Sequence, residues 1–299
     1  MNIDHELGSR LTYGLKKDEP MSKHTSWMVG GPADYFLQPA DLDELITIVS
    51  YSDRHKLPLY VLGNGTNLLV LDGGIRGLVI HIGSAFNYLN SDQYSLTAGA
   101  GISMTGLAKS AAAAGLTGLE FAIGIPGSLG GALIMNAGAF GGYIGEKVRL
   151  VKVVNYFGQV ITLPRKEIHF GYRDSNLTGK GIIFEATLAL EQAEQAIIAK
   201  KMEELSAERR KRHPKLPSAG SVFRNLPGKP AGKIIEEAGA KGLRTGGAEV
   251  STEHANFIVN NGDATASDIL NLIKTVRQLV KDKFNLELRP EVRIIGEEI

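Results

Sequence analysis

The residues that could do chemistry in this chain are gathered around glycine. Two stretches, GNGTNL at 63–68 and GIPGSLGG at 124–131, each follow an apolar segment. Backbone N–H groups that converge in such loops can cradle a diphosphate, and side chains on the glycines would block that approach. Thr66, Asn67, Ser128 and Asn136 add hydroxyl and amide groups nearby. Two tight structural turns are the plainer reading of the same glycines. A further candidate is Ser221, in PSAGSVFRN at 217–225, which follows the small residues Ala219 and Gly220. It can be a turn residue, a helix cap or a proton donor. A free serine is a very poor acid and donates only when held within hydrogen-bond reach of a strongly basic carbanion. Capping a helix that starts near Lys229 fails on distance, which leaves the turn and the donor.

Several familiar sites are absent. GNGTNL begins like a dinucleotide fingerprint, but Leu68 stands where the third glycine of G-x-G-x-x-G belongs. No lysine follows glycine in a Walker A pattern, and Ser128 in PGSLGG misses the G-x-S-x-G elbow. The seven histidines include no pair at metal-ligand spacing, so no metal is expected. With no cysteine, disulfides and thiolate nucleophiles are excluded. A net charge of +1 gives no electrostatic footprint for nucleic acid. The basic run of Arg209, Arg210, Lys211, Arg212 and Lys215 reads first as the solvated end of a helix. No apolar run approaches the length that spans a bilayer, and residues 1–20 hold no stretch like a signal peptide. A cytoplasmic protein without a membrane partner is the expectation.

The elements that must position these residues follow from periodicity. At 299 residues, 43% hydrophobic and 22% charged, the chain should bury more than one core. Glycine, at 36 residues, is about 12% of the chain against a usual ~7%. Residues 41–56 have Leu42, Leu45, Ile46 and Val49 at helical spacing, with an acidic start and a basic end. Strands are expected at 57–63, 77–83, 94–101, 149–158, 159–163 and 181–190, with a small-residue helix at 103–115. Residues 191–213 read as a charged amphipathic helix with the stripe Ile197, Ile198, Met202 and Leu205, broken by Pro214 and Pro217. A strand at 256–260, a strong helix at 267–284 and a final strand at 286–296 complete an α+β chain.

Six segments in order, HTSWMVGGPADYFLQP, VLGNGTNLLV, GIPGSLGGALIMNAGAFG, FGYRDS, PSAGSVFRN and LRPEVRIIG, closely resemble the UDP-N-acetylenolpyruvoylglucosamine reductase family. The resemblance runs from His24 to Gly296. It implies a vanillyl-alcohol-oxidase-type (PCMH-type) FAD-binding fold in two sub-domains, 1–84 and 85–206, with residues 287–299 returning to the first. A C-terminal α+β substrate domain would occupy 207–286. It also implies an NADPH-dependent flavoenzyme of peptidoglycan precursor synthesis. Such an enzyme reduces the enolpyruvyl ether of a UDP-sugar substrate.

By that resemblance Ser221 delivers a proton, Arg173 grips the substrate carboxylate and Glu291 hydrogen-bonds the developing enolate while protonated. Read alone, Arg173 would be a strand-end partner of Asp174, and Glu291 an exposed edge residue. Gly63, Asn64, Gly65, Thr66 and Asn67 would line one side of the FAD diphosphate. Gly124, Pro126, Gly127, Ser128, Gly130 and Gly131 would line the other, with Asn136, Ala137 and Gly138 nearby. Thr25, beside His24, matches the family's N-terminal flavin-side segment. The first glycine loop has no histidine or cysteine, so the FAD should be non-covalent. Arg212 or Lys215 would reach the UDP diphosphate, and Tyr172 would line the pocket or pack in the core. Asn225 matches a nucleotide contact, although Leu226 here separates it from the proline that usually follows. Between Tyr172 and Leu190 the chain is too short for the tyrosine-bearing loop that one branch of the family folds over its substrate. A monomer is expected.

Overall fold

The computed structural model describes residues 3–298, without the side chains of Asp4 and Arg212. The chain forms two compact units, each assembled from three stretches: residues 1–17, 35–64 and 77–210 in the first, and 18–34, 65–76 and 211–299 in the second. The polypeptide therefore passes between units five times, after Lys17, Asp34, Asn64, Arg76 and Arg210. Each unit has its own hydrophobic core.

In the first unit the helix Leu42–His55 follows the short helix Ile3–Glu6 and the strands Leu15–Pro20 and Pro32–Leu37, which the first unit only partly contains. Asp41 caps it, Oδ1 accepting the Glu44 N–H at 2.8 Å, and Lys56 ends it in the left-handed region. Leu45, Ile48 and Val49 are buried, so the face expected from spacing is the one that packs. Strand Leu59–Leu62 pairs in parallel with Ile75–His81, Leu62 lying beside His81, and carries the chain into the first glycine loop. A five-stranded sheet is ordered Val160–Pro164, Val148–Val154, Ile182–Ala189, Ser95–Gly99, Leu89–Ser91, and its strands pair antiparallel. Ser103 caps the helix Met104–Ala113.

The helix Leu129–Ile134, capped by Ser128, was not expected, because two glycines in its first turn hide it from a propensity reading. The helix expected at 191–213 starts later, at Gln195, since Glu191 and Gln192 pair as a short strand with Thr117 and Leu116. Its buried face is Ile198, Met202 and Leu205; Ile197 is 61% exposed, being about 100° round the helix from that line.

The second unit is built on the helix Ala266–Phe284. Thr265 and Asp268 form a capping box at its start. Asp72, 194 residues earlier, takes the next two amides: Oδ1 accepts from Ala266 N–H at 2.9 Å and Oδ2 from Ser267 N–H at 2.8 Å. The helix packs with Ala231–Ala238 and with a sheet ordered Arg244–Thr245, Ala248–Val250, Ile258–Asn260. Strand Leu68–Val70 leaves the first glycine loop and pairs in parallel with Arg293–Ile295. Of the strand expected at 286–296, Arg293–Ile295 forms a regular strand and Pro290 makes an isolated bridge with Phe223. Among the described residues no helix is long and apolar enough to cross a membrane.

Candidate functional site

The first glycine loop straddles a passage between units, with Gly63 and Asn64 in the first and Gly65 to Asn67 in the second. In the first unit it meets the second loop: a Cβ on Gly63 would lie 2.3 Å from Ser128 Oγ. That hydroxyl is buried and caps Leu129–Ile134. The second loop is fastened to the segment after strand Ser95–Gly99, because Leu129 N–H donates to Ile102 O and Gly130 N–H to Ala100 O, both at 2.9 Å. Gly124 N–H donates to Thr105 Oγ1. Gly131 completes the first helical turn, and Pro126 is exposed on the loop.

Beyond that helix, Asn136 is buried with a φ of 41° and both amide ends engaged: Nδ2 donates to Gly171 O at 2.8 Å and Oδ1 accepts from Gly145 N–H at 3.0 Å. Ala137 O accepts from Ile144 N–H, and Gly138 O accepts from Arg173 Nη2 at 3.0 Å. Asn136 thus ties the second glycine loop to the hairpin Phe170–Gly171, Asp174–Ser175, whose turn is Tyr172–Arg173. Arg173 has φ 54°, a conformation costing a non-glycine residue roughly 1–2 kcal/mol. Strain of this kind persists where surrounding structure fixes it. The guanidinium lies 5.4 Å from the Tyr172 ring, and Tyr172 is 45% exposed rather than packed in the core.

Arg209 joins this group. Its Cδ lies 2.9 Å from where a Cβ on Gly124 would be. Burial holds its guanidinium pKa below the ordinary value, and the like charge of Arg173 adds to the effect. The sequence placed Arg209 only within a basic cluster, and the resemblance favoured Arg212 or Lys215 for the UDP diphosphate. Lys215 is exposed, and the side chain of Arg212 lies outside the described residues.

In the second unit, Gly65 makes the close approach: at φ 60° its Cβ would lie 2.0 Å from His24 O. Gly65 O accepts from Ser26 N–H, so the loop is stitched to the segment carrying Thr25. The Thr25 hydroxyl donates to Val29 O at 2.7 Å and closes its own turn. Asn67 reaches the C-terminal part: Nδ2 donates to Glu291 O at 3.2 Å, and its carbonyl accepts from Arg293 N–H at 3.0 Å. Thr66 sits between them, half-buried.

The backbone segments that carry Ser221 and Glu291 are paired. Phe223 forms a β-bridge with Pro290, and Glu291 N–H donates to Val222 O at 2.7 Å. Ser221 follows Gly220, whose φ is 74° with nothing within 4 Å of a built Cβ; that glycine is required by the turn rather than by crowding. Asn225 Oδ1 accepts from Ala231 N–H at 2.9 Å, so its carbonyl oxygen is committed to the start of Ala231–Ala238. Asn256 went unnoticed in the sequence, although its buried amide holds the residues next to Ser221. Nothing local signals that role, because its partner is 33 residues away.

The residues present in the first unit suit a diphosphate: among the described residues, the amides of Gly63 and Asn64 in one loop and of Gly127 and Ser128 in the other donate to no protein acceptor. In the second unit the Gly65 amide likewise donates to none.

A family model described as UDP-N-acetylenolpyruvoylglucosamine reductase, C-terminal domain, matches residues 212–295, and one described as FAD binding domain matches 33–164. Proteins named UDP-N-acetylenolpyruvoylglucosamine reductase are similar over nearly the whole chain. That of Heliobacterium modesticaldum is 49% identical over 284 residues, 94% of this chain and 90% of its own. That of Lachnoclostridium phytofermentans is 45% identical over 288 residues, 94% of this chain and 93% of its own. The crystal structure of the Thermus caldophilus reductase superposes with a TM-score of 0.81 at 37% identity, covering 92% of this chain and 97% of that one.

Proposed function

The chain belongs to the UDP-N-acetylenolpyruvoylglucosamine reductase family, a flavin-dependent oxidoreductase family of PCMH-type FAD-binding fold, and from that premise we propose which of its residues carry the reaction. The reaction is the NADPH-dependent reduction of UDP-N-acetylglucosamine enolpyruvate to UDP-N-acetylmuramate in peptidoglycan synthesis. Bound FAD would supply the hydride transfer that links NADPH to the enolpyruvyl carbon. The amides of Gly63, Asn64, Gly65, Gly127 and Ser128 would hold its diphosphate.

Arg173 grips the substrate carboxylate, and its strained turn, with one Nη already on Gly138 O, aims the fork before substrate arrives. Arg209, half-buried and close enough to feel Arg173, is a better-sheltered cation for the UDP diphosphate than exposed Lys215. Glu291 donates a proton in a hydrogen bond to the enolate oxygen as charge develops there. Ser221 gives its hydroxyl proton to the adjoining carbon, the step a weak acid can perform only toward a carbanion. Tyr172 and Asn225 flank the nucleotide sugar. The substrate-binding part falls within 207–286.

The observation that supports the reading is the bridge between Phe223 and Pro290, which joins the backbone segments that carry Ser221 and Glu291. The test separates the two half-reactions of the holoenzyme. Ser221→Ala should let NADPH bleach the flavin at the wild-type rate and slow reoxidation by the enolpyruvyl sugar by about 10³-fold or more. Reoxidation at the wild-type rate would reject Ser221 as donor. A monomer working in the cytoplasm, with no nucleic-acid partner, completes the proposal; the net charge of +1 supports the last point.

A further inference from the structure

One residue outside the proposed chemistry grips the serine segment through both ends of its side-chain amide. Asn256 is 3% exposed. Its Oδ1 accepts from Phe223 N–H at 2.9 Å, and its Nδ2 donates to Phe223 O at 2.8 Å. Its own carbonyl accepts from Val222 N–H at 2.8 Å. A side-chain amide thus supplies the donor and acceptor that a neighbouring strand would supply, and no regular ladder exists there to take its place. The two peptides it grips immediately follow Ser221, and Val222 O on the far side receives Glu291 N–H.

Asn256 is itself held. Its N–H donates to His254 Nδ1 at 3.1 Å, and four residues on, Asn260 Nδ2 donates to Trp27 O at 2.8 Å. Trp27 Nε1 returns a bond to Ile258 O at 2.7 Å. The stretch from His254 to Asn260 is therefore a bracket. It suspends the serine segment at one end and, at the other, the segment of Thr25 and His24 against which Gly65 packs.

We infer that Asn256 is a positioning residue for proton delivery, its carboxamide fixing where the Ser221 hydroxyl stands relative to Glu291. The inference rests on Ser221 being the donor. A displacement of about 1 Å at such a group can slow a reaction about 100-fold, so the effect should fall on the substrate half-reaction alone.

The experiment uses flavin-loaded Asn256→Ala, Asn256→Asp, Ser221→Ala and the Asn256→Ala/Ser221→Ala double variant, with both half-reactions followed by stopped-flow absorbance. The expected result for Asn256→Ala is unchanged flavin reduction by NADPH and reoxidation by the enolpyruvyl sugar slowed about 30- to 100-fold. Asn256→Asp keeps the acceptor for Phe223 N–H and loses the donor, so it should fall between. In the Ser221→Ala background the Asn256→Ala change should add less than about 3-fold, since the positioned group is gone. Multiplication of the two effects, equal slowing of both half-reactions, or loss of flavin from both Asn256 variants would each mark a general structural role and overturn the inference. Slow reoxidation in Ser221→Ala with normal reoxidation in Asn256→Ala would sink the inference alone. Normal reoxidation in Ser221→Ala would sink the donor assignment and the inference with it.

Discussion

Removing the Asp72 carboxylate tests whether the first glycine loop's strand is anchored to the long helix of the second unit. Asp72 accepts from Ala266 N–H at 2.9 Å, Ser267 N–H at 2.8 Å and the Ser267 hydroxyl at 2.6 Å. Each bond to an ionised group is worth about 1.5–3 kcal/mol when sheltered. Water reaches Ser267, which is exposed, but Ala266 is fully buried. The net loss in Asp72→Ala should therefore be about 2 kcal/mol, the upper end of measured cap losses. With a urea slope of about 2 kcal/mol/M, the transition of that unit should fall by roughly 1 M.

Asp72→Asn keeps the shape but must turn an NH2 toward one of the donors, so it should recover little. Burial pushes the Asp72 carboxyl up, yet the Ser267 hydroxyl bond and then the Ala266 and Ser267 amides outweigh it and hold the pKa below 3.8. A lowered carboxyl pKa adds stability that is whole above about pH 4 and fades as pH falls through the folded-state value. Wild type and Asp72→Asn should accordingly converge in acid. Urea titrations at pH 7 and pH 3, read by tryptophan emission from Trp27, provide the measurement. A loss below about 0.5 kcal/mol at pH 7, or a gap that is the same at both pH values, would refute the reasoning.

Two more outcomes are expected. Glu120 is 3% exposed, accepts from the Thr117 hydroxyl and Gly118 N–H, and lies 3.6 Å from Lys201 Nζ, so Glu120→Ala should cost about 3 kcal/mol and lower the melting temperature of the first unit. Gly65→Ala would drive a methyl into His24 O, and the purified protein should carry less than about a tenth of the wild-type flavin by absorbance at unchanged helix content.

How legible each part was depends on where its cause lies. The helix Leu42–His55 was readable because its cap, its terminal charges and its apolar face all sit within it. The glycine loops were visible by composition, but whether they were turns or a cradle could not be decided from them, since the Gly63–Ser128 and Gly65–His24 approaches join distant segments. Ser128 was proposed for its hydroxyl, and the helix it caps was hidden by the glycines after it. Asn256 and Asp72 carried no signal at all. An asparagine acting as a strand and an aspartate capping a helix 194 residues away have meaning only once the chain has folded. The positive φ of Arg173 was likewise invisible, arginine being an uncommon occupant of that region.

Because the chain threads back and forth five times, no single cut would release either unit as a continuous fragment. On the ribosome, Leu68–Val70 emerges more than two hundred residues ahead of its partner Arg293–Ile295. That strand must wait through nearly the whole of synthesis with its edge open, a period in which mispairing or chaperone capture competes with folding. Truncation into Arg293–Ile295 would therefore be expected to leave Leu68–Val70, beside the first glycine loop, without its partner strand.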